Sequence, residues 1–165
     1  MGVDFNDFQD SIEARIGSIA PDFKLRASND QEIRLSDFHR EKKVVLFFVR
    51  EFRWMQCRSH VSQLAKLYEQ FKDADAEILV ILGDTLEKAK EYVNTLQLPF
   101  PVLSDPNREV YLLYELEKYF KLIQRTASIV VDREGHVQYL KRTTNPMIWL
   151  QESRELFGFV DSMKD

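Results

Sequence analysis

The side chains best suited to chemistry are concentrated in one stretch, Arg50-Glu51-Phe52-Arg53-Trp54-Met55-Gln56-Cys57-Arg58-Ser59-His60. Cys57 is the single cysteine among 165 residues. Three arginines against one glutamate make the stretch basic, although the chain as a whole carries a net charge of −4. The run Lys43–Val49 just before it is β-branched and aromatic and reads as a strand buried on both faces. Val61, Leu64, Leu67, Tyr68 and Phe71 recur at helical spacing and predict a helix from about Cys57 to Lys72. Cys57 would then stand in the first helical turn, where unpaired backbone N–H groups and the helix dipole favour an anion. Nearby arginines act in the same direction. A thiolate is the nucleophile of peroxide and disulfide chemistry, and such surroundings lower a thiol's pKa. The opposing reading is a silent core cysteine, because free Cys behaves as a small hydrophobe. Its flanking residues, Gln56 and Arg58, and its place off the stripe of Leu64, Leu67 and Phe71 speak for a functional thiol.

The neighbouring side chains have plainer alternatives. His60 follows Cys57 by three residues, and the pair could form half of a metal site. No further Cys or His cluster completes it, so no metal is expected, and His60 reads as a solvent-facing or hydrogen-bonded helix residue. Phe52 and Trp54 either shape a substrate or partner pocket or pack the loop against the helix. Arg53 is a substrate clamp or a solvated charge, and Glu51 could orient Arg50. Asp84 and Asp105 read as turn and cap residues rather than general acids. Neither G-x-G-x-x-G nor G-x-x-x-x-G-K-[ST] occurs, so no nucleotide cofactor is expected.

The elements that must position this stretch follow from periodicity and punctuation. Residues 4–16 carry Phe5, Phe8, Ile12 and Ile16 at steps of three and four and predict a short amphipathic helix. Phe23–Leu25 and Glu32–Leu35 bracket the turn-forming Ser28-Asn29-Asp30 and read as a hairpin. Glu77–Leu82 is a second buried strand, and Thr85 caps a helix that runs to Leu96 and ends at Gln97-Leu98-Pro99. Phe100–Leu103 is a short strand, and Asp105-Pro106 opens another helix with Pro at its start. Ala127–Val131 is a third buried strand, and His136–Lys141 pairs back after the turn Arg133-Glu134-Gly135. Asn145-Pro146 caps a last helix with Met147, Leu150, Phe157 and Val160. This order predicts an α/β fold: a mixed sheet with helices on both faces and an N-terminal hairpin. Such sheets place chemistry outside the carboxyl ends of their strands, where Arg50–Cys57 falls.

Composition excludes several classes. A single cysteine closes no intrachain disulfide, zinc finger or iron–sulfur cluster. A pI near 5.5 argues against a nucleic-acid partner. With 44% hydrophobic and 30% charged residues, the chain reads as one globular domain over 1–165. The longest apolar run, Val44–Val49, is far too short to span a bilayer, and acidic residues interrupt the N-terminus, so no signal peptide or membrane partner is expected. The expected location is cytoplasmic, where thiols stay reduced.

Most of the chain, about residues 15–162, resembles the peroxiredoxin family, the AhpC/TSA-type redoxins. Ile16-Gly17-Ser18-Ile19-Ala20-Pro21-Asp22-Phe23-Lys24-Leu25 resembles the family's opening G-x-x-A-P-D-F-x-L, and Ile33–Phe38 its x-x-L-S-D-F. Lys43–Phe48 resembles the strand before the active site, and Leu98-Pro99-Phe100-Pro101-Val102-Leu103-Ser104-Asp105-Pro106 matches L-P-F-P-x-L-S-D-P closely. The resemblance implies a thioredoxin-like, three-layer fold. It places Cys57 at the cysteine of the family's P-x-x-x-T/S-x-x-C, with Arg50 at the Pro position and Trp54 at the Thr/Ser position. Arg50, Cys57 and Arg58 also resemble the R-x-x-x-C-x-x-C-R of some redoxin relatives, with Trp54 in place of the first cysteine. The counterpart of the family's active-site arginine is Arg125, one residue out of the usual register.

By resemblance, the implied activity is that of a one-Cys thiol peroxidase without a cofactor. Cys57 would attack hydrogen peroxide or an organic hydroperoxide and become a sulfenic acid, with Arg50 or Arg125 holding thiolate and peroxide. Phe52, Trp54 and Arg58 would line the substrate side. The second thiol would come from a small thiol or a thioredoxin- or glutaredoxin-like protein, and a homodimer is plausible. Two competing readings remain: a non-catalytic redox-sensing or partner-binding module, and an oligomer subunit suggested by the 12 Phe.

Overall fold

The computed structural model describes residues 16–49, 55–116, 126–143 and 149–163, with backbone alone at 55–57, 126, 142–143 and 149–151. Seven strands form one sheet in the order β2-β1-β5-β4-β3-β6-β7. They are β1 (Lys24–Ala27), β2 (Glu32–Arg34), β3 (Lys43–Val49), β4 (Ala76–Leu82), β5 (Val102–Ser104), β6 (Thr126–Val131) and β7 (Val137–Thr143). The helices are α1 (Met55–Asp73), α2 (Leu86–Leu96), α3 (Glu109–Leu113) and α4 (Trp149–Ser162), with a short 3-10 turn at Leu35–Phe38. β3, β4 and β5 run parallel, while β6 is antiparallel to β3 and β7 to β6. The β1–β2 hairpin joins antiparallel to β5. This is the predicted mixed sheet with an N-terminal hairpin.

The period-two alternation of β3 divides the core. Val44, Leu46 and Phe48 face a cluster closed by Val110, Tyr111 and Tyr114 of α3 and its C-terminal turn, together with Phe23 and Leu35. Val45, Phe47 and Val49 face the opposite cluster, closed by Val61, Leu64 and Phe71 of α1, Ala89 and Tyr92 of α2, and Leu156 and Val160 of α4. Three helices therefore cover one face and α3 the other. The described aromatics are largely spent on this core: Phe47, Phe48, Phe71, Phe100, Tyr92, Tyr111 and Tyr114 are all buried. The aromatic content that suggested an oligomer subunit thus has a packing explanation in these residues.

Several boundaries differ from the sequence reading, each for a local reason. β5 starts at Val102, after Pro101, which has no N–H to give a ladder; Phe100 instead packs edge-on to Tyr68 at 5.2 Å. α3 starts at Glu109 and not at Pro106, because Arg108 takes a left-handed φ of 55° that a helix does not contain. Leu35 leaves the hairpin for the 3-10 turn, β1 extends to Ala27, and β7 extends to Thr143. His136 forms an isolated bridge with Ile19 instead of opening β7. α2 ends as expected: Thr85 accepts from Lys88 N at 3.3 Å, and Gln97 closes the helix at φ 54°. The helix predicted for 4–16 lies outside the described residues except for its last residue, Ile16, and so does the Asn145-Pro146 cap.

Lys43, the first residue of β3, is buried, and its Nζ donates to three carbonyls: Ala74 O at 3.2 Å, Val160 O at 3.3 Å and Met163 O at 3.2 Å. One ammonium thus ties the chain just past α1 and the C-terminal end of α4 to the start of the central strand. It stands where the helix dipoles are negative. Replacing Lys43 with Met keeps the stem but strands three acceptors, at a cost of about 2–4 kcal/mol. Urea unfolding of Lys43→Met should show a lower midpoint with an unchanged slope; an unchanged midpoint would contradict this role.

Candidate functional site

The site is built at the carboxyl end of β3. That strand ends at Val49, between β4 and β6, and α1 starts at Met55. The helix begins two residues earlier than predicted, so Cys57 is its third residue, still in the first turn. No acidic residue stands in that turn. The backbone N–H groups there have no helical partner and favour negative charge. Cys57 precedes Val61 by four residues and Leu64 by seven, and both are fully buried. The buried stripe of this helix includes His60, Val61, Leu64 and Phe71; the expectation that Cys57 stands off it concerns a side chain outside those described.

Other chain ends gather at the same edge of the sheet. Thr126, the first residue of β6, is paired with Val49, and Thr143, the last of β7, is paired with Thr126. α4 follows β7 and packs against α1. Of the side chains singled out by sequence, Arg58 is described and partly buried. Arg50, Phe52, Trp54 and Arg125 lie outside the described residues, as do Glu51 and Arg53, and at Cys57 only the backbone is described. Among the described residues, no group of three or more His, Cys, Asp or Glu is placed to hold a metal ion.

The strand ends beneath this edge are held by a set of hydrogen bonds, of which the sequence reading foresaw only the Asp105 cap. The Tyr111 hydroxyl of α3 lies between two carbonyls, bonding Val49 O and Ile81 O, the latter at 3.0 Å. Val49 O also accepts from Gly83 N at 3.0 Å, and Leu82 O accepts from Asp105 N at 2.9 Å. Ser104 Oγ donates to Asp84 O at 2.7 Å. The Asp105 carboxylate accepts from Glu109 N at 3.0 Å and Val110 N at 2.9 Å, so it caps α3 as the cap reading expected. Burial raises the Asp105 pKa, and these backbone donors oppose that rise. A sequence signal for Tyr111 existed: a tyrosine within an apolar stripe needs a partner for its hydroxyl.

His60 is the larger surprise. It is 1% exposed, not solvent-facing, and neither ring nitrogen has a hydrogen-bond partner among the described residues. Its ring stands edge-on to Phe47, with centroids 4.4 Å apart. Burial, and secondarily the positive Lys141, lowers its pKa from 6.5 to about 4. His60 is therefore a neutral imidazole at neutral pH, placed one turn after Cys57.

Comparison with known proteins adds three findings. The AhpC/TSA family model matches residues 16–140. A protein of Oryza sativa subsp. japonica named "Peroxiredoxin Q, chloroplastic" is 32% identical over 125 residues, covering 75% of this chain; the chain spans 57% of that protein's length. Among solved structures, peroxidoxin BcpB of Mycobacterium tuberculosis is similar with a TM-score of 0.76 and 17% identity, covering 92% of this chain and 99% of that one. A yeast mitochondrial 1-Cys peroxiredoxin, described as resolved by glutathione and thioredoxin systems, has a TM-score of 0.75 and 18% identity, covering 90% of this chain and 75% of that one.

The buried neutral state of His60 has a pH consequence. Unfolded histidine binds a proton near 6.5, whereas folded His60 resists until about 4. Unfolding therefore takes up a proton in that window, and stability falls as pH drops from 6.5 towards 4. The loss attributable to His60 approaches about 3 kcal/mol at the acid end. Urea unfolding at pH 7.5 and 4.5 should show a larger acid loss for the wild type than for His60→Gln, by about 2–3 kcal/mol. Equal losses would contradict a buried neutral His60.

Proposed function

Because the chain belongs to the AhpC/TSA family, we propose that it is a thiol peroxidase of the one-Cys type, reducing hydrogen peroxide or organic hydroperoxides through Cys57. The observation that carries this is the place of Cys57 in the first turn of α1, at the carboxyl end of the central strand, with no acidic residue in that turn. The thiolate's electron pair forms an S–O bond while the O–O bond breaks, and the leaving hydroxide or alkoxide takes a proton from solvent. The product is a Cys57 sulfenic acid. One external thiol condenses with it to a mixed disulfide and releases water; a second thiol then restores Cys57 and leaves as the oxidised reductant. With no second cysteine in the chain, both reducing thiols come from outside, from a small thiol or a thioredoxin- or glutaredoxin-like protein.

In this reading Arg50 and Arg125 hold the thiolate and polarise the peroxide by charge-assisted hydrogen bonds. Arg50 directly follows Val49 in the chain, and Arg125 directly precedes Thr126; the pairing of Val49 with Thr126 supports placing both at this edge. Phe52, Trp54 and Arg58 line the approach of substrate and reductant. The solved 1-Cys peroxiredoxin of yeast supports the cycle as one that this fold accommodates. A homodimer and a cytoplasmic location complete the proposal. No described helix is long and apolar enough to cross a membrane.

A second reading has its own observation. Arg50 and Trp54 occupy the positions of the family motif's Pro and Thr/Ser, which favours a redox sensor that is oxidised without rapid turnover. One assay separates the two. Purified protein with dithiothreitol should consume hydrogen peroxide catalytically, and Cys57→Ser should fall to the uncatalysed rate. Stoichiometric oxidation of Cys57 without turnover would favour the sensor. Undiminished consumption by Cys57→Ser would overturn both.

A further inference from the structure

One side chain of α3 reaches across the core to the strand end from which the Cys57 segment departs. Tyr111 is fully buried, and its ring stands edge-on to Phe48 with centroids 5.2 Å apart. Its hydroxyl bonds the carbonyl of the next residue, Val49, and that of Ile81 on β4, the latter at 3.0 Å. A phenylalanine would fill the same space. The hydroxyl adds a buried polar group, and its bonds fall on the carboxyl ends of two neighbouring parallel strands. The bonds around it close a circuit. Val49 O also accepts from Gly83 N at 3.0 Å, and Leu82 O, one residue before Gly83, accepts from Asp105 N at 2.9 Å. The Asp105 carboxylate in turn accepts from Glu109 N and Val110 N of α3. The extent of α3 is itself fixed at a cost. Arg108 before it and Glu115 just past it take left-handed φ values of 55° and 58° without being glycine. Such strain persists only where surrounding contacts over-determine the backbone, and it gathers at functional sites.

We propose that Tyr111 is a positioning residue for the peroxide reaction: by holding the last carbonyl of β3, it sets the direction in which the chain enters the Arg50–Cys57 segment. This rests on the reading of Cys57 as the peroxide-reactive thiol. A peptide unit is planar, so a bond that fixes Val49 O also fixes the plane that leads into Arg50. The Tyr111 ring packs on Phe48 and its hydroxyl bonds Val49, so one side chain holds the last two residues of the strand. In the proposed chemistry Arg50 polarises the peroxide, and a charge-assisted hydrogen bond depends steeply on its aim. Tyr111 acts through this backbone, and it neither gains nor loses a proton over the cycle.

The test compares two reactions of one thiolate, the thiol being unique in the chain. Oxidation by hydrogen peroxide needs the peroxide polarised; alkylation by iodoacetamide does not. Both rate constants are read in single turnover, at a pH where alkylation has levelled off. Tyr111→Phe keeps the ring against Phe48 and removes the hydroxyl. It should slow oxidation about tenfold and alkylation by less than about twofold. Tyr114→Phe is the control. It removes a hydroxyl bond to Pro21 O, 2.7 Å long, from the turn that ends the same helix, and should change neither rate. Equal losses in both reactions of Tyr111→Phe, or a loss in neither, overturn the inference and leave the peroxidase reading standing. So does a Tyr114→Phe that reproduces the split. A wild type that peroxide does not oxidise at Cys57 overturns that reading and this inference together. If Tyr111→Phe does not fold, NMR decides: the Tyr111 ring resonances should move between wild type and Arg50→Ala, and unchanged resonances overturn the proposal.

Discussion

Every residue of β3, from Lys43 to Val49, is buried, and the strand is paired along its whole length on one side and from Val44 onward on the other. That double pairing is the constraint on which the rest depends. A strand held in this way cannot slip register without moving one set of side chains from the α1 face to the α3 face. Its two ends serve different purposes. At the amino end, the Lys43 ammonium ties the ends of two helices to the sheet. At the carboxyl end, Tyr111 and Gly83 hold the carbonyl of Val49 in place. The N-terminus of α1 is thereby set against a fixed edge, and a helix terminus stabilises an anion only if it does not move away from it.

Charge is arranged with the same economy. The protein is acidic overall, yet the first turn of α1 contains no carboxylate and is adjoined by arginines in sequence. The Asp105 carboxylate, just past the carboxyl end of β5, is occupied by the backbone of α3. Beneath the helix's first turn lies a neutral histidine in place of a cation. In the proposed function, positive potential for the Cys57 thiolate comes from the helix terminus and from the arginines that adjoin it in sequence.

Much of this was legible in the residues themselves. The β3 strand, the long α1 helix and the order of parallel and antiparallel strands follow from apolar periodicity, because burial on two faces or on one leaves an unmistakable spacing. The blocks around Pro21 and Leu98–Pro106 marked the family. What escaped is instructive. His60 carries no sign of burial, since the same residue type suits a wet helix face equally well, and only packing against Phe47 decides. Leu67, which its spacing reads into the apolar stripe of α1, is only partly buried, because spacing fixes the face of a helix but not how closely the neighbouring elements cover it. Asp105 was recognised as a cap, but not that it acts across the left-handed Arg108, a backbone choice that no residue type there announces. Tyr111 as a brace for two strand ends depends on a contact 62 residues away in sequence.

The central claim is that Cys57 is held as a reactive thiolate by the first turn of α1. Its most direct test is single-turnover oxidation of reduced protein by hydrogen peroxide, followed by mass spectrometry across pH. The account predicts one oxygen added per chain, at a rate that has levelled off by neutral pH because the thiol is already ionised. A rate that keeps climbing through about pH 8.5, as for an unperturbed thiol, would contradict it.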